Sequence, residues 1–198
     1  MIEHELTPEA AESPKEDGPR IYAASLSDYN NGVLHGRWID AGAEIDDMQQ
    51  EITEMLAASP TSKRFGEPAE EWAIHDYEGF GNLRIGEYLG LDRIARLAGG
   101  ITEHGLAFTA WAAYIGETCD DLLDQFEDRY QGEWDNVEVY ADHLLDELDA
   151  DRVIAEAPQW LQTYLSIDVK GFARDLEISG DIVTDERPEG GIWIWSAR

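Results

Sequence analysis

The sequence predicts an α+β fold built from three small subdomains behind an N-terminal tail. Strand-like apolar runs stand at both ends of the chain, apolar residues at three- and four-residue spacing fill its middle, and turn residues separate the segments. The predicted limits are a disordered acidic tail over 1–19, an α+β subdomain over 20–80, a helical acidic subdomain over 81–130 and an α/β subdomain over 131–198. A chain of 198 residues is long enough for such a division.

The first subdomain is predicted to contain three strands and one helix. RIYAASL and GVLHGRWID are strand-like runs on either side of SDYNNG, whose Asn31-Gly32 pair favours a turn. EWAIHDYEGF is a third run of the same kind. A helix is expected between the second and third strands and should end near Pro60. Its apolar face is marked by Ile45, Met48, Ile52 and Met55.

Three helices are predicted for the middle subdomain, with a break at Gly99-Gly100 between the first and the second. Each of them has apolar residues at helical spacing, which is typical of a helix with one buried face. The residues that mark the three helices are Ile85, Leu89 and Leu97; Leu106, Trp111, Ala113 and Tyr114; and Leu122, Phe126 and Tyr130.

The last subdomain combines a mixed segment with two predicted strands. A helix is expected behind Pro158 in PQWLQTYL, because proline favours the first turn of a helix. The strands lie in GDIVTDERPEGGIWIWS on either side of a Pro/Gly loop. The apolar end with Trp193 and Trp195 is open to two interpretations, a strand of the core or a strand at an interface.

Net charge excludes several classes of partner. The chain has 43 Asp and Glu against 14 Lys and Arg, a net charge of −29. Direct binding to nucleic acid or to an anionic membrane needs clustered Lys and Arg, so neither is predicted. No apolar run is long enough to span a bilayer, and the acidic N-terminus is unlike a signal sequence, so the cytoplasm is the predicted location. Cys119 is the only cysteine, which rules out a disulfide within the chain.

Motifs for catalysis, cofactors and metals are missing from the sequence. It contains no GxGxxG, Walker, GxSxG or HExxH pattern, no calcium-loop spacing and no closely spaced histidine pair. His75 stands beside Asp76 in a predicted strand and is interpreted as structural, with a general base oriented by a carboxylate as the alternative. We therefore predict that the chain is not an enzyme, has no catalytic residue and needs neither metal nor cofactor.

The most informative feature is an acidic run between residues 117 and 151, in which Arg129 is the single cation. On helices its acids fall at three- and four-residue steps and therefore form rows. Like charges four residues apart cost roughly a few tenths of a kcal/mol per pair, so the rows lower helix stability. The candidate partner-binding carboxylates are Glu117, Asp120, Asp121, Asp124, Glu127, Asp128, Glu133, Asp135, Glu138, Asp142, Asp146, Glu147, Asp149 and Asp151.

Three interpretations of this run compete. It could be a solvated face without a role, or an adaptation to salt, since the chain has only three lysines, Lys15, Lys63 and Lys170. It could also be a polyanion that imitates DNA, which carries about one charge per 1.7 Å of duplex. At that density the net charge of −29 corresponds to about 50 Å of duplex per chain, as an upper bound.

Four segments, taken in order, resemble the ArdA-type antirestriction proteins, which are DNA mimics carried on mobile genetic elements. They are IYAASLSDYNNGVLHGRWID at 21–40, EWAIHDYEGF at 71–80, IGEYLGL at 85–91 and GFARDLEISGDI at 171–182. The first and last are the more specific, whereas the N-terminal tail and the C-terminal DERPEGGIWIWSAR depart from the family pattern. The matching positions that we interpret as structural are the Asn30–Gly32 turn, His75, Asp76, Tyr77, Arg174 and Asp175.

This resemblance implies an elongated, curved chain that forms a homodimer through its C-terminal part. The dimer would resemble bent B-form DNA and occupy the DNA-binding groove of a type I restriction–modification enzyme, at the methyltransferase core with its recognition subunit. Unmodified DNA would then be shielded from cleavage, with no catalytic residue involved. Two alternatives stay open: a salt-adapted acidic domain of unrelated function, and an acidic hydrolase that uses His75 and a nearby carboxylate.

Overall fold

The computed structural model of the protein describes residues 18–116 and 121–197. The chain divides into two compact units, Met1–Asp120 and Asp121–Arg198. Each unit contains a three-stranded antiparallel sheet with helices, which confirms the predicted α+β class. The tail predicted over 1–19 lies, apart from its last two residues, outside the described residues, and the division into three subdomains stays a prediction.

The first unit is built around a sheet with the strand order β2-β1-β3, and both pairings are antiparallel. The pairing of β1 with β3 shifts register between Tyr22 and Ala23. Its described elements are β1 (Arg20–Ser25), α1 (Leu26–Asn30), β2 (Gly36–Asp40), α2 (Ile45–Ala57), α3 (Pro60–Phe65), β3 (Trp72–Glu78) and α4 (Leu91–Ile115).

The three strands and the helix predicted for this region are confirmed. Helix α2 packs on β1 and β2, and it buries Met48, Ile52 and Met55, three of the four residues that define its predicted face. Ile45, the fourth, is the first residue of the helix and is 44% exposed. Helix α3 was not predicted, although Ser59 before Pro60 is a recognisable start signal for a helix.

A buried aspartate joins the short helices α1 and α3. Asp28 is fully buried, and its Oδ1 accepts a hydrogen bond from the Thr61 backbone N–H at 2.8 Å, at the N-terminal end of α3. Burial raises the pKa of the Asp28 carboxyl, but hydrogen bonds from the side chains of Ser25, Thr61 and Ser59 and from the Thr61 backbone lower it by more. The net pKa lies well below the usual range, so the carboxylate is held in its charged form.

Replacing Asp28 with asparagine keeps the side-chain shape and removes this charge. We expect the free energy of unfolding at neutral pH to fall by about 1.5–3 kcal/mol, the usual value for hydrogen bonds to a charged group. Because the folded pKa lies below the unfolded value of about 3.9, this contribution is fully present above that value and is lost as the pH falls through the folded pKa. Urea unfolding of both proteins from about pH 2 to pH 7 measures it; a difference that did not shrink toward acid would contradict the assignment.

Helix α4 corrects two predictions about the middle of the chain. It continues through Gly99-Gly100, where a break was predicted, and the backbone leaves helical geometry at Gly105 instead, with φ 61° and ψ −142°. Gly100 is needed for packing, because a Cβ there would clash with the ring of Phe108. The helix begins only at Leu91, so the predicted helical residues Ile85 and Leu89 lie in turns and loop.

The apolar face predicted for the second half of α4 is also wrong in part. Trp111 is buried, but Leu106, Ala113 and Tyr114 are exposed. Six consecutive residues from Ala107 to Ala112 are buried instead. A helix segment that is surrounded by protein on most sides shows no single apolar stripe. The spacing of its apolar residues therefore does not predict which side chains are exposed.

The second unit has a sheet with the strand order β4-β6-β5, and both pairings are antiparallel. Tyr140, Ile182 and Ile194 form the centre of one core cluster. The described elements are α5 (Leu122–Arg129), β4 (Tyr130–Trp134), α6 (Val137–Glu147), α7 (Ala150–Ala155), α8 (Gln159–Gln162), α9 (Val169–Ser179), β5 (Ile182–Glu186) and β6 (Ile192–Ser196). The helices predicted at 122–130 and behind Pro158 and the two C-terminal strands are confirmed, although Tyr130 already belongs to β4.

Strand β6 is the middle strand of this sheet and is a strand of the core. Trp193, Ile194 and Trp195 are at most 5% exposed, and the strand is hydrogen-bonded on both sides. Because both of its edges are occupied, it has no free backbone groups with which to pair with another chain. Nowhere in residues 18–116 or 121–197 is a helix both long and apolar enough to cross a bilayer.

Candidate partner-binding surface

Helix α5 carries the first row of acids. Leu122 and Phe126 are buried and fix one face of the helix, with the Phe126 ring stacked on Tyr130 at 4.8 Å. Asp124 and Asp128 are exposed on other positions of the helix. With Asp121 at the N-cap they follow three- and four-residue steps and therefore lie along one side.

Helix α6 carries the second row. Its start is capped by Asn136, whose Oδ1 accepts the Val139 N–H at 3.0 Å, and its buried residues Tyr140 and Ala141 face inward. Helix α6 packs against α9. The acids of the row, which recur every four residues and are all exposed, are Glu138, Asp142 and Asp146.

Two further acids continue beyond the end of α6. Asp149 stands at the N-cap of α7 in the left-handed region with φ 53°, and among the described residues it is the one non-glycine with a positive φ. Asp151 lies in the first turn of α7, where the positive end of the helix dipole favours a carboxylate. Position 149 thus carries an acid although a glycine there would adopt this backbone conformation with less strain.

Some candidate carboxylates already have cationic partners within the chain. Glu133 is the most firmly held, since its Oε2 lies 2.6 Å from Arg187 and its Oε1 accepts from Trp193 Nε1 at 3.2 Å. Glu138 lies 3.7 Å from Lys170. Glu147 lies 3.4 Å from the His143 imidazole, an exposed pair that counts as charged only when the histidine is protonated. Glu133 therefore stabilises the β4–β6 sheet as well as adding charge.

Eight of the candidate carboxylates form no ion pair with any residue in the part of the chain that the structure describes. We call them the open carboxylates: Asp121, Asp124, Asp128, Asp135, Asp142, Asp146, Asp149 and Asp151. Arg129, the single cation of the acidic run, donates from its Nη1 to the Ala197 carbonyl oxygen at 2.7 Å. The helix surfaces thus keep negative charge available to a partner.

The structure places the predicted carboxylates on the surface wherever it describes them. Glu117 and Asp120 lie outside the described residues. The twelve others, all exposed, are Asp121, Asp124, Glu127, Asp128, Glu133, Asp135, Glu138, Asp142, Asp146, Glu147, Asp149 and Asp151. Their role in binding stays a prediction.

Sequence reasoning missed a cleft beside His75 in the first unit. The His75 ring meets the Tyr29 ring edge to face at a centroid distance of 4.6 Å, and both residues line the cleft together with Tyr77 and Glu87. Within the described residues His75 forms no hydrogen bond with a carboxylate, and Asp76 Oδ1 instead accepts the N–H of Tyr77 at 2.8 Å. The carboxylate-oriented base of the hydrolase alternative is therefore not assembled here.

Comparison with known protein families gives a match over most of the chain. The model of the family described as antirestriction protein (ArdA) matches residues 21–188, which is most of the chain. The matched range contains all four segments that carry the resemblance, so the resemblance is confirmed. None of the curated proteins compared with the chain matches it.

Proposed function

The chain belongs to the antirestriction protein (ArdA) family, and we propose that it acts as a DNA mimic that blocks type I restriction–modification enzymes. In this proposal its carboxylates pair with the Lys and Arg side chains that hold DNA phosphates in the enzyme's groove. The DNA substrate is then excluded from the enzyme's groove by competition, without catalysis. The observation that supports the proposal is the exposure of all twelve described candidates, eight of which are open carboxylates.

The spacing of the rows shows why several of them must act together. Acids four residues apart on a helix are separated by about 6 Å along its axis. Phosphates of one DNA strand follow each other at about 3.4 Å along the duplex axis. One row therefore carries roughly half of the charge per length of one strand, so the rows of both α5 and α6 are needed to approach the charge density of even a single strand.

Competition with DNA at several salt concentrations tests the proposal. A labelled duplex is bound to a purified type I methyltransferase core, and the full-length protein is titrated in. We expect displacement near stoichiometry that weakens steeply as salt rises, because the contacts are between exposed charges. Absence of displacement, together with unfolding of the protein at low salt, would contradict the proposal and favour adaptation to salt.

We further propose that the mimic is a homodimer whose interface uses α7, α8 and the residues that follow. Exposed apolar residues that are grouped on neighbouring helices often mark an interface, and Trp and Tyr are enriched in interfaces. Trp160 is 72% exposed and Tyr164 79% exposed. The other residues of this apolar surface are Leu148 and Val153, at 68% and 72% exposure.

Charge also supports a second copy of this chain as the occupant of the apolar surface. Two acidic units repel each other, so an interface between copies needs cations nearby. Exposed cations of the second unit stand on α7 and α9, as Arg152, Lys170 and Arg174 do, whereas α6 has none. Arg152 and Glu156, 2.7 Å apart, offer both signs on one helix, which suits the self-complementary contact of a two-fold dimer.

Replacing Trp160 and Tyr164 together with alanine is expected to convert the dimer into monomers. Both side chains are exposed within one chain, so the fold should be retained while the interface loses its largest apolar contacts. Sedimentation at several concentrations measures the change in mass. The control is the pair Leu34→Ala and Tyr88→Ala in the first unit, which are 77% and 73% exposed. A double variant of α8 that still sedimented as a dimer would exclude this surface.

A further inference from the structure

A cleft of ≈ 400 Å³ opens in the first unit along strand β3. Three parts of the chain that are distant in sequence form it: the end of α1, the middle of β3 and the segment 85–87. The segment is held against β3 by a hydrogen bond from the Ile74 N–H to the Glu87 carbonyl oxygen at 2.9 Å. The lining residues are Tyr29, Ile74, His75, Tyr77, Ile85 and Glu87.

The two tyrosine walls of this cleft each contact another ring of the same unit. Tyr29, which is 57% exposed, contacts the His75 ring edge to face, with the two ring planes at 80°. Tyr77 meets the buried ring of Phe80 at 6.1 Å in the same kind of geometry. A ligand that contacts these rings would therefore lose little free energy in ordering them.

The composition of the cleft selects the chemical class of its ligand. The faces of tyrosine rings attract cations, and the exposed Glu87 carboxylate adds a negative charge at the same place. None of the six lining residues is a lysine or arginine, so no cation of the lining competes for the site. An anionic ligand would be repelled by Glu87 and by the net charge of −29.

We propose that this cleft binds one arginine side chain of the protein that the acidic rows engage. A guanidinium group is planar and stacks on aromatic rings while it donates two parallel hydrogen bonds to a carboxylate, which a lysine ammonium does not do. The inference rests on the proposed function for its partner, a basic DNA-binding protein. Its content is different, because it concerns a single shaped site in the first unit and not distributed charge.

Such a site would concentrate part of the binding free energy in a single contact. A carboxylate on an open helix surface makes an exposed contact that is individually weak. An arginine stacked on the rings of this cleft loses water on the side that faces them, as residues that dominate binding energy usually do to a larger extent. We therefore expect Tyr29→Ala to weaken inhibition by about 10-fold, more than any single substitution among the open carboxylates.

Binding of a small arginine probe to the full-length protein tests the cleft directly. The probe is Nα-acetyl-arginine amide, and the matched neutral probe is Nα-acetyl-citrulline amide, which has nearly the same shape without the charge. The ring and amide NMR signals of His75 and Tyr77 and the amide signal of Glu87 should shift saturably with the arginine probe, with half-saturation in the range of about 1–10 mM. The citrulline probe should leave them unchanged.

Two variants separate the cleft from general attraction to an acidic surface. Glu87→Gln should weaken binding of the arginine probe about 5-fold or more, whereas Glu70→Gln, an exposed acid outside the cleft lining, should not. Equal shifts with both probes, or arginine-induced shifts that favour residues 121–151 over the cleft, would overturn the proposal. Arginine binding without displacement of DNA from the enzyme would instead count against the DNA mimic and leave the cleft in place. Displacement of DNA without arginine binding would remove only the cleft.

Discussion

Neutralising Asp124, Asp128, Asp142 and Asp146 together with asparagine is expected to weaken inhibition about 100-fold, while each single change weakens it only a few-fold. Exposed ion pairs are worth roughly 0.2–1 kcal/mol each. Four contacts of about 0.7 kcal/mol amount to about 3 kcal/mol, and every 1.4 kcal/mol is tenfold in affinity. Titration of each variant against a labelled duplex on the methyltransferase core, at one low salt concentration, gives the affinities.

The control for this variant removes four charges elsewhere. Four exposed acids of the first unit serve for this purpose, namely Asp46→Asn, Asp47→Asn, Glu67→Gln and Glu70→Gln. They give the same change in net charge and should cost clearly less if the rows on α5 and α6 make the contacts. Equal losses in both variants would show that only total charge matters. If one single substitution abolished inhibition, distributed mimicry would be wrong.

Truncating Trp195 to alanine is expected to give the largest loss of stability in the second unit, about 3–5 kcal/mol. Trp195 is 1% exposed in the middle strand β6, and its ring lies 6.2 Å from that of Tyr130. The substitution leaves a cavity between the sheet and α5, in a unit too small to absorb it. Urea unfolding followed by far-ultraviolet circular dichroism measures the loss of free energy.

Two variants show whether burial is the cause. Trp195→Phe keeps an aromatic ring in the sheet and should recover most of the lost free energy. Trp160→Ala removes the same side chain from an exposed position and should change the unfolding free energy by less than about 0.5 kcal/mol, compared at concentrations at which both proteins are monomeric. A loss below about 1 kcal/mol for Trp195→Ala would mean that β6 is not the centre of this core.

Sequence patterns predicted those elements in which one face is buried and the other is exposed to solvent. Helix α2 is such a case, because Met48, Ile52 and Met55 recur at helical spacing and are buried. Patterns failed where burial has no period, as between Ala107 and Ala112, and where a glycine serves packing, as at Gly100. Helix α3 was missed because six residues are too few to show periodicity, although its capping signal was present.

The two candidate sites differ in how much of each could be predicted from the sequence. Rows of carboxylates depend on helical spacing alone, so their exposure on α5 and α6 could be predicted from the run around Asp124 and Asp142. The cleft depends on tertiary contacts, because it joins Tyr29 to His75 and to a loop that reaches Glu87. No local motif links these positions, and only a fold that pairs β1 with β3 brings them together.

The left-handed backbone at Asp149 implies a conflict between folding stability and inhibitory activity. A glycine there would relieve strain of roughly 1 kcal/mol, yet it would delete one of the open carboxylates. Laboratory evolution under heat alone would therefore be expected to discard acids at such positions, with Asp149→Gly among the early gains. Variants recovered in that way should be more stable but should inhibit less. Selection for protection of incoming DNA should restore the aspartate.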